Sequence, residues 1–177
     1  MRHRIVLTAL VLLTAPAFAG RGGSVQGIES AIASGSPDSI IGEIERAEKL
    51  VCMSCVRPVL ALVDHSDARV RDVAGWWLGK RGVRDEVIAN MTARLVAQDP
   101  IAARNAADVL GGMREVSAVP LLGAYLAKPL DEESAIAVAR ALGKIGSPTG
   151  LGYLKTGTAS SMDNVRVAAL KAMRLLR

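Results

Sequence analysis

Residues 67–79 read DARVRDVAGWWLG, residues 99–111 read DPIAARNAADVLG and residues 131–143 read DEESAIAVARALG. Each stretch opens on an aspartate and closes on Leu-Gly. Asp67, Asp99 and Asp131 recur every 32 residues, with Leu78, Leu110 and Leu142 eleven positions further on and Gly79, Gly111 and Gly143 next to them. A fourth copy opens at Asp163 but slips by one residue, so that Met173 and Arg174 take the Leu and Gly places. A fixed period of this length marks stacked repeats, each a single supersecondary unit.

Each unit reads as a helical hairpin. The aspartate stands where an N-cap belongs, its carboxylate accepting from the orphan N–H groups of the first turn. Val70, Val73, Ala74, Trp77 and Leu78 follow the i, i+3, i+4, i+7, i+8 spacing of one apolar helix face. The glycine after the leucine suits a left-handed position that ends the helix. A second helix carries Val87, Met91 and Leu95 in this unit and Val119, Leu122 and Leu126 in the next. Pro58 and Pro120 fall early in their helices, where a missing N–H costs little. The spacing predicts helices over 38–50, 55–64, 67–79, 84–97, 100–111, 116–127, 132–143 and 163–176. Gly150, Gly152 and Gly157 weaken any helix between 148 and 160.

A diverged unit precedes these. Ser36 and Pro37 open a helix that turns Ile40, Ile41, Ile44, Ala47 and Val51 inward, and Cys55 to Val63 forms its partner. Ser24 to Ala33 adds a short capping helix with Val25, Ile28 and Ile32 on one side, and the helix after Asp163 closes the array without a partner. Units of this kind bury their apolar faces only by stacking, so one curved solenoid is expected.

The chain's start calls for separate treatment. Arg2 and Arg4 precede an apolar run from Ile5 to Leu13, and Ala17-Phe18-Ala19 is a small-x-small cleavage signal before Gly20. Residues 1–19 are expected to be a secretory signal peptide, with no stable membrane span after cleavage, 20–35 an N-terminal segment with the capping helix, and 36–177 the repeat domain. The expected location is the periplasm or the outside of the cell. Cleavage removes two of the 22 basic side chains, so the net charge falls from +5 to +3. So mild a charge, without a dense basic stripe, argues against nucleic acid as partner. Only five residues are aromatic, Phe18, Trp76, Trp77, Tyr125 and Tyr153, while Ala, Leu and Val supply much of the apolar half. That mixture suits close-packed helices better than sheet.

The segments HSDARVRDVAGWWLGKRG (65–82), AVARALGKIGSP (137–148) and DNVRVAALKAM (163–173) resemble HEAT repeats of the bilin-lyase type. The resemblance covers Ser36 to Arg177. It implies an all-α fold, a short right-handed α-solenoid of about four to five HEAT-like hairpins, and it specifies function poorly. Some members of this group are similar to bilin lyases or to a di-iron hydroxylase that relies on repeated His-Glu pairs. Here only His65 remains after cleavage and no His-Glu pair occurs, so no catalytic residue, metal or cofactor is carried over.

Cys52-Met53-Ser54-Cys55 is the sharpest chemical motif. A local disulfide is the plainest reading for two cysteines in an oxidising compartment. Two reduced core cysteines, an active redox pair with a depressed Cys52 pKa, and a metal site stand as alternatives. Haem attachment lacks its histidine, since Val56 stands in that place. His65, between Asp64 and Asp67, reads as an exposed turn residue, and Asp131-Glu132-Glu133 as a solvated first helical turn.

Trp77 falls in register with Val109, Ala141 and Ala172, on the core stripe. Trp76 aligns with Asp108, Arg140 and Lys171, all charged. It is read either as covered by the diverged first unit or as an exposed aromatic anchor for a partner. The function expected from these readings is a non-enzymatic scaffold for a protein or peptide on the concave side, which the second helices would line. The alternative is a redox or cofactor-handling accessory acting through Cys52 and Cys55.

Overall fold

The computed structural model describes residues 23–50 and 52–176. The predicted signal peptide and the inward placement of Val51 fall outside these residues. Ten α-helices follow one another among the described residues: α1 (Val25–Ser34), α2 (Pro37–Arg46), α3 (Val56–Ala61), α4 (Ala68–Leu78), α5 (Arg84–Val96), α6 (Pro100–Met113), α7 (Val119–Ala127), α8 (Glu132–Ile145), α9 (Gly150–Gly157) and α10 (Asp163–Arg174). Short 3-10 turns extend α3 through Leu62–Asp64 and lead into α7 through Val116–Ala118. The architecture is an all-α solenoid of helical hairpins. The first helices of the hairpins, α2, α4, α6, α8 and α10, stack on one another, and α5, α7 and α9 form the second layer.

The caps are as the sequence predicts. Asp67 accepts from the Arg69 N–H at 2.7 Å, Asp99 from those of Ile101 and Ala102, and Asp131 from that of Ser134 at 2.8 Å. Asp163, in the slipped copy, is instead the first residue inside α10. Ser24 and Ser36 cap α1 and α2 in the same manner. The stripe Val70, Val73, Ala74, Trp77 and Leu78 is buried, as are Val87, Met91 and Leu95 on α5 and Val119, Leu122 and Leu126 on α7. The glycine-rich stretch forms α9 after all, because Leu154 is buried and Gly157 lies against Leu126 and Ala169.

The recurring Leu-Gly does not end its helix in a left-handed turn. Gly79 follows α4 at a right-handed φ of −60°, and Gly111 and Gly143 lie inside α6 and α8. The left-handed ends come later, at Arg114 (φ 53°) and Gly146 (φ 73°). Close approach is what these glycines provide. A Cβ at Gly143 would fall 2.8 Å from that of Ala172, and one at Gly112 would fall 2.1 Å from the Asp72 carbonyl oxygen. The first helices therefore pack backbone against backbone, closer than side chains would allow.

One polar network crosses this layer. Arg71 and Asp108 form an ion pair at 2.7 Å, each side chain 2% exposed. Arg71 also donates to the carbonyls of His65 and Ser66, and Arg140 reaches Asp108 from α8. Buried charges persist only when paired and hydrogen-bonded in this way.

Candidate functional site

A groove of about 1030 Å³ runs over the first-helix layer, lined by residues of α2, α4, α6 and α8 and by Leu175 just beyond α10. The second helices, expected to line the concave side, contribute nothing to this groove. The cause is the close packing of the glycine-bearing first helices. Gly111, Gly112 and Gly143 make its floor low. Because α6 raises no side chain at Gly111 and Gly112, Lys144 of α8 spans it and pairs with Asp72 of α4 at 2.5 Å. Toward α2, Arg69 joins Asp38 at 2.8 Å.

Trp76 lies in this groove. It is half-buried, packs against the core and shares the wall with Ile41 of α2. The Lys80 ammonium sits 4.0 Å from its ring centroid, held also by Glu48 at 2.6 Å. Lys80, by hydrogen bond and by charge, keeps the Glu48 carboxyl below its ordinary pKa. A cation over an indole face is an attractive arrangement. The first unit therefore walls Trp76 without sealing it. The register argument from charged neighbours holds only in part, since Asp108, aligned with Trp76, is buried by its two arginines.

Trp77 is sealed and donates its indole N–H to the Ala47 carbonyl at 3.0 Å. Arg81 stacks on it at 4.0 Å and donates to the carbonyls of Ala47 and Glu48. Burial lowers the pKa of the Arg81 guanidinium. Two side chains of the second hairpin thus close the C-terminal end of α2, where orphan carbonyls need partners. They also fix the Lys80–Glu48 contact beside Trp76.

Cys52 and Cys55 stand at disulfide distance, with Cα atoms 5.3 Å apart. Cys55 is fully buried at the start of α3, Cys52 is half-buried, and Met53 between them is 77% exposed. The pair does not line the groove. His65 is half-buried rather than exposed, and its Nδ1 accepts the Asp67 N–H at 3.0 Å. Among the described residues no group of three or more His, Cys, Asp and Glu side chains could hold a metal ion. Within the same residues no helix is long and apolar enough to cross a membrane.

Arg71, Asp72, Lys144 and Arg114 were not singled out by the sequence. One signal did point to Arg71: its register holds Ala103 and Ala135 in the middle units but Arg166 in the last. Arg166 likewise donates to two preceding carbonyls, those of Ser160 and Ser161. An arginine among alanines at one repeat position therefore fastens the inter-repeat turn.

Searches of curated proteins and of solved structures gave no match. Residues 88–174 match the family model described as HEAT repeats, and the match does not single out the bilin-lyase type. Both the 32-residue period and the stacked hairpins agree with that match, and residues 88–174 are HEAT repeats.

Proposed function

We propose that this protein is a non-enzymatic binding scaffold of the bacterial envelope, exported through residues 1–19, that holds a protein or peptide partner in the groove of its first-helix layer. HEAT repeats generally serve as protein-interaction scaffolds. The observation that carries the reading is Trp76. It is a large aromatic side chain left half-open in a groove of about 1030 Å³, on a fold whose other tryptophan is sealed. Tryptophan is enriched among residues that dominate binding energy. The groove spans several helices, as a bound chain segment requires.

The test uses affinity capture from envelope extract, with the wild-type chain and Trp76→Ala side by side. A partner recovered by the wild type and lost by Trp76→Ala, with the thermal midpoint little changed, supports the reading. Trp77→Ala serves as the contrast, since loss of a sealed Trp costs about 3–5 kcal/mol. If Trp76→Ala melts as early as Trp77→Ala, Trp76 is structural and the reading loses its support. Maturation is checked separately: N-terminal sequencing of envelope material should begin at or near Gly20.

A further inference from the structure

Arg114 ends α6 in the left-handed region, with φ 53° and ψ 45°. Left-handed residues also follow α1, α5 and α8: Gly35 (φ 68°), Gln98 (φ 56°) and Gly146 (φ 73°), and of the two that are not glycine only Arg114 lines the groove. Glycine takes this conformation freely, whereas a side chain at Cβ is strained there. An arginine at this point costs stability that the next repeat avoids. Such strain at a groove wall directs attention to what the side chain does.

Its surroundings give the answer. Arg114 is exposed and lines the groove. It also lines a smaller cleft of about 360 Å³, where Trp76, Lys80 and Gly112 are its neighbours. Among the described residues no carboxylate pairs with it. By contrast Lys80, Lys144 and Arg69 are all engaged, by Glu48, Asp72 and Asp38. The groove is thus polarised. A guanidinium without a carboxylate partner among the described residues stands at the α6 side of Trp76, and the Glu45 carboxylate, likewise without an ion-pair partner among them, lines the α2 side.

We propose that Arg114 receives one carboxylate side chain of an extended peptide whose neighbouring apolar residue lies against Trp76. This rests on the groove being the binding face. The planar fork of Arg matches a carboxylate in two parallel hydrogen bonds. A single acid is favoured over an acidic tract, because Glu45 would repel further negative charge. A side-chain acid is favoured over a chain terminus, because the groove continues past Arg114 to Gly146 and Leu175.

The test is a positional-scanning library of nonapeptides, acetylated and amidated, with a parallel set left as free C-terminal acids, both screened against the wild type, Arg114→Gly and Trp76→Ala. The wild type should select Asp or Glu at one position, two or three residues from a selected apolar residue. Arg114→Gly should lose that acid preference by about tenfold while melting at the same or a higher temperature, because glycine relieves the left-handed strain. Trp76→Ala should lose the apolar preference. Peptide binding without acid selection, or acid selection that survives in Arg114→Gly, overturns the inference and leaves the groove reading standing. Binding only by peptides with a free C-terminal carboxylate also overturns it. If the wild type binds no peptide, the groove reading itself fails.

Discussion

Gly112→Ala is the substitution that best separates close helix packing from ordinary helix propensity. By propensity alone alanine in a helix interior gains about 0.5–1 kcal/mol over glycine. Gly112 lies inside α6, yet a Cβ there would sit 2.1 Å from the Asp72 carbonyl oxygen, 2.9 Å from its carbon and 3.1 Å from the Trp76 nitrogen. All three are backbone atoms of α4, so no side chain can swing aside. Overpacking of this kind costs about 1–3 kcal/mol. A clash with backbone at 2.1 Å puts the cost at the upper end, about 2–3 kcal/mol, so the balance is a net loss of roughly 1–2.5 kcal/mol, or a midpoint lower by about 2–10 °C for a domain of this size. Gly42, inside α2, supplies the control, because a Cβ there meets nothing within 4 Å. Gly42→Ala should therefore raise the midpoint by about 1–4 °C. Thermal melts followed by far-UV circular dichroism read both. A Gly112→Ala protein as stable as the wild type would refute the packing argument, since propensity would then be the only effect left.

Three other outcomes follow from the structure. Asp108→Ala strands the Arg71 guanidinium and should cost about 3–5 kcal/mol, whereas Arg71→Met with Asp108→Leu should cost clearly less; a denaturant double-mutant cycle checks this, and equal losses would contradict it. Burial works to raise the carboxyl pKa values of Asp64 and Glu115. Hydrogen bonds and charge from Arg94 and Asn105, and from Ser117 and Arg84, outweigh it and leave both lowered. Each thus stabilises the fold above the ordinary carboxylate range, and that contribution is lost as pH falls below about 4. Urea midpoints should drop between pH 5 and pH 3, and Asp64→Asn should flatten the drop. A profile identical to that of the wild type would contradict the assignment of Asp64. Cys52 and Cys55 should be joined in the exported protein, so alkylation without reductant should block neither; two modified thiols by mass spectrometry would rule the bridge out. Since so short a loop gives little entropic gain, the bond should add less than about 3 kcal/mol.

The hairpins, their caps and their inward faces were readable because each depends on local spacing. An aspartate before an i, i+3, i+4 stripe fixes a helix start whatever packs above it. The meaning of the recurring glycine was not readable, because a glycine at a helix end and one beneath a neighbouring helix look alike in a single chain. Only the position of α4 over α6 distinguishes them. For the same reason the groove on the first-helix layer was not readable. Its depth depends on how near the first helices approach, and that distance is set by glycines meeting backbone in the next repeat. Trp76 was legible as an unusual residue, but its half-buried state was not, because charge at its aligned positions points to exposure while the diverged first unit points to cover, and spacing alone does not choose between them. Asp108 shows why that step fails: two arginines from other helices bring its charge inside.

The central claim, that partners bind on the first-helix layer, is tested most directly by site-specific photocrosslinking in cells that produce the protein. A photoreactive side chain at Gly42 would project into the groove without disturbing it, since nothing lies within 4 Å of a Cβ there. The comparison position is Ala93, exposed on α5 in the second layer. The account predicts crosslinked adducts from Gly42, lost when Trp76→Ala is added, and none from Ala93. Adducts from Ala93 with none from Gly42 would place the binding face on the second helices and contradict it.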